Sequence, residues 1–402
     1  MSRNSYDFVI LGAGVVGMTI AQEIKKRFPG QSVLVIEKES APGKHSSGRN
    51  SGVLHSGIYY PPNTLKARLC NQGAAEMARY CRDRKLPLSN LGKILVTTRS
   101  EDTTQFETLV QRAAVNGIEV SRLDEKQLKA MEPEARSATG EALFVPQTSV
   151  VDPLAVLSSI VADALDAGVE IRYGHSIGEV DVARKELRGP GFTVKFGHVV
   201  NAAGLHADKV AHSFGVGKCY TLLPFKGIYW KLRQDSDIKV RHLVYPVPDL
   251  RVPFLGVHTT TSISGDTYLG PTAVPAFGRE NYAGLQDVTA AELMRIGGLL
   301  TQQFLYGRDG FRRLAWQEGR RYFKPWFAQA ARAILPRLRP ADLIPTGKVG
   351  IRAQMLDRVS GRLVNDFLVE SGEASTHVLN AISPAFTSSF PFARFIVDTY
   401  LS

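Results

Sequence analysis

The pattern that most constrains the fold lies near the N-terminus, where three glycines separate two apolar segments. Residues 6–11 (YDFVIL) predict a strand, and the next residues carry the spacing GxGxxG with Gly12, Gly14 and Gly17. A helix follows, and a second apolar strand ends at Glu37, 20 residues after Gly17. This order is typical of a dinucleotide-binding βαβ unit, because the glycines allow the tight turn between strand and helix.

The fingerprint also predicts how such a ligand is held. Because Gly12 and Gly14 have no side chains, a pyrophosphate can approach the backbone of these residues and of the adjoining Val16 at the positive end of the helix. Glu37 can accept hydrogen bonds from a ribose 2′-hydroxyl, which argues against a cofactor with a 2′-phosphate. The motif alone fits either FAD or NAD, and the alternative without a ligand is an ordinary strand-to-helix turn.

A polar loop rich in glycine and serine follows Glu37 and extends to residue 60. Its run SSGRNSG offers backbone and hydroxyl donors to phosphates or to the polar edge of a ring, although a flexible surface loop has the same composition. The residues predicted to contact a cofactor here are Lys38, Ser46, Ser47, Arg49, Asn50, Ser51 and Gly52.

The composition is that of a soluble globular protein, with 402 residues, 44% hydrophobic and 22% charged. The three cysteines stand in no arrangement with metal-ligand spacing, so we expect no metal and a reducing compartment. The longest apolar stretch, residues 8–21, is too short and too rich in glycine to span a bilayer. A secretory signal pattern is not evident either, and the expected location is cytoplasmic.

Several motifs together resemble the FAD-dependent oxidoreductases of the D-amino-acid-oxidase type. They are the glycine fingerprint, the SSGRNSG loop, VVNAAG at 199–204 and NAISPAFTSS at 380–389. Further segments resemble the L-2-hydroxyglutarate dehydrogenase/oxidase family more narrowly, and the resemblance covers nearly the whole chain. These segments are SGVLHSGIYYP at 51–61, LKA at 65–67, KGxY at 226–229, VYPVPD at 244–249, PFLGVH at 253–258 and GKVGIR at 347–352.

The resemblance implies an α/β fold with a Rossmann-type FAD-binding domain and a second domain of mixed β-sheet and helices for the substrate. We expect the FAD-binding domain to comprise residues 1–90, 146–218 and 345–402, and the substrate domain to comprise 91–145 and 219–344. It also implies cofactor contacts beyond the fingerprint and the polar loop. These are Ala202, Ala203, Gly204, Arg352, Pro384, Ala385, Phe386 and Thr387.

The implied reaction is the oxidation of L-2-hydroxyglutarate to 2-oxoglutarate, with a hydride passing to the flavin. Such a reaction needs a base for the hydroxyl proton, and a neutral histidine is suitable near neutral pH. His55 follows the predicted cofactor loop and His258 closes a strand of the second domain, so either is a candidate base. A structural role is the alternative for each.

A dicarboxylate substrate also needs cationic or hydrogen-bonding groups at both of its ends. Arg352 is the candidate for one carboxylate, because its guanidinium group can bind in a bidentate manner. Lys66 or Lys226 is the candidate for the other, although each could equally be a solvated surface charge. Tyr59 and Tyr245 complete the predicted substrate contacts.

The net charge of +11 is concentrated in one segment, residues 301–340, which holds nine Arg or Lys and two Asp or Glu. The aromatic residues Trp316, Tyr322, Phe323, Trp326 and Phe327 are interleaved with them, and no nucleic-acid-binding signature accompanies them. This pattern fits contact with an anionic membrane surface, such as the inner face of a membrane, and electron transfer to a quinone. A solvated basic face with aromatic residues in the core is the alternative.

Two other functions remain open from the sequence. One is an oxidase that reduces O₂ and acts on a related 2-hydroxy acid or amino acid. The other is a protein that holds FAD without turnover.

Overall fold

The structure is a computed structural model, and it describes residues 3–250, 254–307 and 310–401. The chain divides into two compact units, each assembled from separate segments. Unit 1 comprises Met1–Asn50, Pro153–Pro224 and Arg352–Ser402, and unit 2 comprises Ser51–Asp152 and Phe225–Ile351.

The helices and strands are numbered in chain order. In the described residues the helices are α1 Val15–Arg27, α2 Leu65–Asp83, α3 Thr103–Val115, α4 Glu125–Met131, α5 Pro153–Asp166, α6 Ala207–Ser213, α7 Ala290–Tyr306, α8 Phe311–Arg321, α9 Lys324–Ala331 and α10 Ser389–Ile396. The strands are β1 Ser5–Leu11, β2 Val33–Ile36, β3 Val53–Leu54, β4 Leu88–Asn90, β5 Lys93–Val96, β6 Ser121–Leu123, β7 Ala142–Val145, β8 Ser149–Val151, β9 Glu170–Arg172, β10 Glu179–Asp181, β11 Glu186–Gly189, β12 Phe192–Asn201, β13 Tyr220–Leu222, β14 Phe225–Leu232, β15 Leu243–Pro246, β16 His258–Thr261, β17 Thr267–Gly270, β18 Val274–Pro275, β19 Leu343–Arg352, β20 Met355–Asp357, β21 Arg362–Leu363, β22 Leu368–Gly372 and β23 Ser375–Asn380.

Unit 1 is built on a sheet in which β23, β12, β1, β2 and β9 lie side by side and run parallel. The central strands β1 and β2 are nearly continuous runs of apolar residues, as expected for parallel strands covered on both faces. The antiparallel pair β10 and β11 extends the sheet beyond β12. All the parallel strands present their carboxyl ends at the same edge, which is where ligands bind in sheets of this kind.

Helix α1 connects β1 to β2 and packs on α5 and α10. Its buried face carries Met18, Ile20 and Ile24, and its last turn is basic, which suits the negative end of the helix dipole. The Thr19 hydroxyl donates to the carbonyl of Ser389, which is in the first turn of α10. The first and last helices of unit 1 are therefore fixed to each other beside the glycine turn.

The described part of unit 2 contains three small sheets. One has the order β16-β17-β14-β18 with β19 also paired to β14, the second has the order β15-β5-β7-β6, and the third has the order β3-β8-β4. The four residues of β5 are completely buried, and its two faces contribute to two different apolar clusters. Alternate residues of a strand point to opposite faces, so Lys93 and Leu95 lie on the same side of the second sheet.

The division of the chain differs most from the expected boundaries in residues 51–90, which belong to unit 2 rather than to the first domain. Smaller differences lie at 146–152 and 345–351, which also belong to unit 2, and at 219–224, which belong to unit 1. Packing explains the difference, because Val53, Ile58 and Tyr59 belong to an apolar cluster with Leu95 and Tyr245 of unit 2. The mixed α/β architecture with several sheets agrees with the predicted fold class.

The helices in the described parts of the chain include none with enough length and apolar character to cross a membrane.

Candidate active site

The glycine turn after β1 is closely packed against the neighbouring strand of unit 1. Gly12 has a φ of +108°, and a Cβ atom there would lie 2.7 Å from the carbonyl oxygen of Ala202. A Cβ atom at Gly17 would lie only 2.0 Å from the carbonyl oxygen of Gly12. Both positions therefore require glycine for the turn itself, because any side chain would collide with backbone.

Gly14 differs from these two glycines, because its Cβ position faces the polar loop instead. The nearest atom to a Cβ there is the Ser47 hydroxyl oxygen at 3.0 Å. That oxygen accepts a hydrogen bond of 2.9 Å from the Val15 amide at the start of α1. The SSGRNSG loop therefore lies at the positive end of α1, where a pyrophosphate binds in dinucleotide-binding folds.

The carboxylate of Glu37 is held at the glycine turn. Its two oxygens accept hydrogen bonds from the backbone amides of Ala13 (2.8 Å) and Glu39 (3.0 Å). A carboxylate has about four lone-pair positions, so it can still accept a ribose hydroxyl. The structure thus orients the residue that the sequence analysis assigned to the ribose.

The polar loop of unit 1 has its own internal hydrogen bonds. The Arg49 guanidinium donates to the carbonyl of Lys44 (2.7 Å), and the Asn50 amide donates to the carbonyl of Ser47 (2.8 Å). The Lys38 ammonium group contacts Glu39 and His45. The loop therefore forms a defined turn beside α1.

The other predicted cofactor residues of unit 1 lie at the same edge of the sheet. Parallel pairing aligns Leu11 with Ile36 and with Asn201, and Asn201 with His377. Ala202, Ala203 and Gly204 follow β12 directly, and Pro384, Ala385, Phe386 and Thr387 lie between β23 and α10. The hydroxyls of Ser388 and Ser389 are buried there with no hydrogen-bond partner among the described residues. The glycine turn and these donors fit the dinucleotide portion of FAD.

Two histidines of this sheet form hydrogen-bond contacts within the fold. His377 contacts Asn201 and Ser375 through its two nitrogens, and His198 contacts Thr376. Burial lowers the pKa of each to about 4, so both are neutral at neutral pH. Neither is among the candidates for the base.

In unit 2, the structure brings a predicted base and a predicted substrate contact together. The rings of His258 and Tyr245 stack with centroids 3.7 Å apart. The Nδ1 atom of His258 donates to the carbonyl of Gly256 (2.9 Å), because a carbonyl oxygen can only accept. That bond leaves the lone pair of the neutral ring on Nε2, the state required of a base.

His55 and Tyr59 lie on the segment between β3 and α2. The Cys70 thiol of α2 donates to the carbonyl of His55 (3.1 Å), and the Arg112 guanidinium donates to the carbonyl of Tyr59. Gly57 has a φ of +91°, and a Cβ there would press on Cys70. These contacts fix the backbone that carries the second candidate base.

Lys93 is a residue of this region that the sequence analysis missed. Its side chain is fully buried, and its Nζ atom lies 4.6 Å from the ring centre of Tyr59 and 5.5 Å from that of Tyr245. Burial lowers the pKa of the Lys93 ammonium group to about 7. The contacts of Lys93 therefore join the two predicted tyrosines in one cluster, and Tyr245 links it to His258.

The two lysines predicted to bind substrate have other contacts. The Lys226 ammonium group donates to the side-chain oxygen of Asn281 (3.1 Å), and burial lowers its pKa. Lys66 is also buried, and its Nζ atom lies 5.5 Å from the ring centre of Tyr60. Their role in substrate binding stays a prediction.

Arg352 is the last residue of β19 and the first residue of the C-terminal segment of unit 1. Its side chain is half-buried. It therefore belongs to the unit that carries the dinucleotide motif, whereas both candidate histidines and both predicted lysines belong to unit 2.

Comparison with known proteins agrees with this assignment of motifs. Residues 7–399 match the family model described as FAD dependent oxidoreductase. An L-2-hydroxyglutarate dehydrogenase from Indibacter alkaliphilus is 36% identical, covering 96% of both chains. The mitochondrial L-2-hydroxyglutarate dehydrogenase of Homo sapiens is 34% identical, covering 99% of this chain and 89% of that one.

Solved structures show the same fold at lower identity. The L-alpha-glycerophosphate oxidase from Mycoplasma pneumoniae, solved with FAD bound, has a TM-score of 0.74 at 20% identity and covers 99% of this chain and 94% of that one. Glycine oxidase from Geobacillus kaustophilus has a TM-score of 0.70 at 18% identity, covering 98% of this chain and 94% of that one. The chain therefore belongs to the FAD dependent oxidoreductase family, and within it to the group of the L-2-hydroxyglutarate dehydrogenases.

Proposed function

We propose that this FAD-dependent oxidoreductase oxidises L-2-hydroxyglutarate to 2-oxoglutarate. The observation that carries the proposal is the cluster in unit 2, where Tyr245 stacks on His258 and Lys93 adjoins two tyrosines. A base beside cationic and phenolic donors suits a hydroxy acid, because the base can take the hydroxyl proton while the donors bind a carboxylate. The name of the relatives supports the same substrate.

Bound FAD supplies the acceptor for the hydride that leaves Cα of the substrate. The substrate loses two electrons and two protons in total, and its hydroxyl proton goes to a base of the protein. Nε2 of His258 has the lone pair for this role, and His55 is the alternative on the segment that Cys70 fixes. Loss of both hydrogens turns the C–OH group into the carbonyl of the 2-oxo acid.

A product assay with a soluble dye as electron acceptor tests the proposal. One 2-oxoglutarate is expected for each two-electron equivalent of dye reduced when L-2-hydroxyglutarate is supplied. Dye reduction by a different hydroxy acid or an amine, with no 2-oxoglutarate formed, would contradict it. Oxygen uptake without the dye would assign O₂ as the acceptor.

Arg352 is proposed to bind one substrate carboxylate and to contact the cofactor. Arg352→Met is expected to lower kcat/KM for L-2-hydroxyglutarate by about 30-fold or more, because a lost charge-assisted bond costs about 2–5 kcal/mol. Steady-state kinetics with the soluble dye provide the measurement. Arg358→Met makes the same charge change at an exposed position of unit 1 and is the control. Equal kcat/KM in the two variants would remove Arg352 from the site.

The electron acceptor is proposed to be a membrane quinone, and the helices α7, α8 and α9 are proposed to contact the membrane that holds it. These helices expose a set of large apolar side chains together with basic residues. The exposed apolar side chains are Leu293, Met294, Phe304, Leu305, Tyr306, Trp316, Tyr322, Phe323 and Trp326. A basic surface with exposed aromatic residues suits the interface of an anionic membrane, and a cytoplasmic location at its inner face follows.

The structure distinguishes the arginines of this surface. Arg312 donates to the last carbonyls of α7, and Arg321 pairs with the buried Glu318, so both have structural roles. Arg320 lies with its guanidinium carbon 3.6 Å from the ring centre of the exposed Trp326. Arg320 and the exposed Arg313 are therefore the better positions for a test.

Replacing Arg313 and Arg320 by Gln, together with Trp316→Ser, should weaken binding to vesicles of anionic lipid. Each basic residue near such a surface contributes about 1 kcal/mol, and salt screens the attraction. Vesicle sedimentation measures the loss, while flavin content and activity with the soluble dye stay unchanged. The control replaces the exposed Arg184 and Lys195 of unit 1 by Gln. Equal sedimentation of both variants and the wild type would exclude this surface as the membrane contact.

A further inference from the structure

The strongest unexplained feature of unit 2 is an ionisable amine, that of Lys93, inside an apolar core. Lys93 lies on the face of β5 that carries Leu95, and this face contributes to a cluster that includes Tyr59, Leu95 and Tyr245. The whole side chain is shielded from water. A buried ammonium ion is costly unless an anion or a set of acceptors compensates it.

The described residues offset this cost only in part. Nζ of Lys93 has no hydrogen-bond partner and no carboxylate partner among them, and its contacts are with the rings of Tyr59 and Tyr245. The phenol oxygen of Tyr59 is buried and likewise lacks a partner in the described chain, and the buried phenol oxygen of Tyr245 has only the Thr260 hydroxyl beside it. An ammonium group and two hydroxyls can all donate hydrogen bonds, so the set presents donors without a matching acceptor.

A carboxylate has the complementary chemistry. It supplies a negatively charged partner for the Lys93 ammonium group, and its two oxygens can accept hydrogen bonds from the ammonium group and from both phenols. Tyr245 also stacks on His258, so an acid bound to this set would extend toward a candidate base. The distal carboxylate of a 2-hydroxy diacid is such a group.

We propose that Lys93, with the hydroxyls of Tyr59 and Tyr245, binds the distal carboxylate of the substrate and selects diacids over monoacids. This inference rests on the proposed function, since it names the residues that recognise one end of the proposed substrate. It replaces Lys66 and Lys226 as the main cation for that end.

The groups around Lys93 also make proton uptake part of the proposal. Tyr59, Tyr245 and the Cys70 thiol are its titratable neighbours, and His258 stacks on the far side of Tyr245. Burial raises the pKa of both tyrosines, so they stay protonated. The pKa of Lys93 is lowered to about 7. An arriving carboxylate favours the charged ammonium, so at pH 8 binding should draw a proton from solution.

Binding of glutarate, which lacks the reactive hydroxyl, tests the proposal without turnover. Calorimetry on the FAD-loaded protein at pH 8 compares glutarate with pentanoate, which has one carboxylate. Lys93→Met should weaken glutarate binding by at least about 30-fold, the effect of losing a buried charge partner, and leave pentanoate binding within about threefold. Proton uptake, measured in buffers of different ionisation enthalpy, should vanish with the lysine.

Tyr245→Phe is the gentler variant, because it removes a single hydroxyl whose neighbour in the described chain is the Thr260 hydroxyl. It should weaken glutarate binding by about 5- to 10-fold, the usual effect of one lost hydrogen bond, with pentanoate unchanged. Lys226→Met is the comparison, and a much smaller loss is expected because Lys226 already donates to Asn281.

The outcomes separate this inference from the proposed function. Equal weakening of glutarate and pentanoate in Lys93→Met, unchanged glutarate binding, or a larger loss in Lys226→Met would overturn it. If Lys93→Met does not retain FAD, unchanged glutarate binding in Tyr245→Phe overturns it instead. Lys93-dependent glutarate binding in a protein that does not oxidise L-2-hydroxyglutarate would support the carboxylate site and contradict the proposed function.

Discussion

Replacing the proposed catalytic base by glutamine is expected to slow flavin reduction by about 10²–10⁴-fold, the usual contribution of a general base. The candidates are His258, whose Nδ1 bond to Gly256 leaves Nε2 as the acceptor, and His55, whose backbone Cys70 fixes. Glutamine keeps a similar size and can hydrogen-bond, but it cannot take the hydroxyl proton. Stopped-flow measurement of flavin reduction across pH provides the rate for each variant.

In the variant that lacks the base, the rate of flavin reduction should also no longer rise with pH as the histidine loses its proton. His175→Gln is the matched control, because His175 belongs to unit 1 and its Nδ1 donates to the carbonyl of Tyr173. If His55→Gln and His258→Gln both keep the wild-type rate and pH profile, the proton goes elsewhere and the assignment of the base is wrong.

Gly14→Val is expected to weaken FAD binding by about 100-fold or more, equivalent to about 3 kcal/mol of steric cost. The first atom that a Cβ at Gly14 meets is the Ser47 hydroxyl at 3.0 Å, and the valine methyl groups would fill the space at the start of α1. Backbone contacts of Gly12 and Gly17 are untouched, so the fold should be retained. Flavin absorbance of the purified protein and titration with added FAD measure the effect.

Gly30→Val is the control for Gly14, since no atom lies within 4 Å of the added Cβ. Position 30 follows the C-terminal end of α1, whereas the fingerprint lies at its N-terminal end. It should purify with a full complement of FAD. A Gly14→Val protein that binds FAD as tightly as Gly30→Val would show that the pyrophosphate does not approach this turn.

The glycine turn of the dinucleotide motif is predictable from the sequence because its determinants are local. Three glycines and an acidic strand end within 26 residues specify the turn, and the structure shows Gly12 in a conformation that side chains rarely adopt. Parallel strands then bring later segments to the same edge of the sheet, so Ala202 and the 380–389 segment follow once the strands are recognised.

The predicted domain boundaries differ from the structure at 51–90 because tertiary packing is not local. The sequence of this segment does not predict that Val53, Ile58 and Tyr59 pack in one apolar cluster with Leu143 and Tyr245 of unit 2. The short strands β3 and β4 likewise acquire their partner from tertiary packing rather than from propensity.

Lys93 was missed for a related reason. In GKILVT a lysine at the start of a strand is usually assigned to the solvent-exposed end. The alternation of the strand did carry a signal, because Lys93 shares a face with the apolar Leu95. Only the fold shows that Tyr59 and Tyr245 enclose its ammonium group.

The most direct test of the account is an anaerobic titration of the FAD-loaded protein with each enantiomer of 2-hydroxyglutarate, followed by flavin absorbance. We expect the L enantiomer to bleach the flavin with one equivalent per site and to yield 2-oxoglutarate, while the D enantiomer leaves the flavin oxidised. Flavin that stays oxidised with the L enantiomer, but is bleached by a monocarboxylic hydroxy acid or an amino acid, would contradict it.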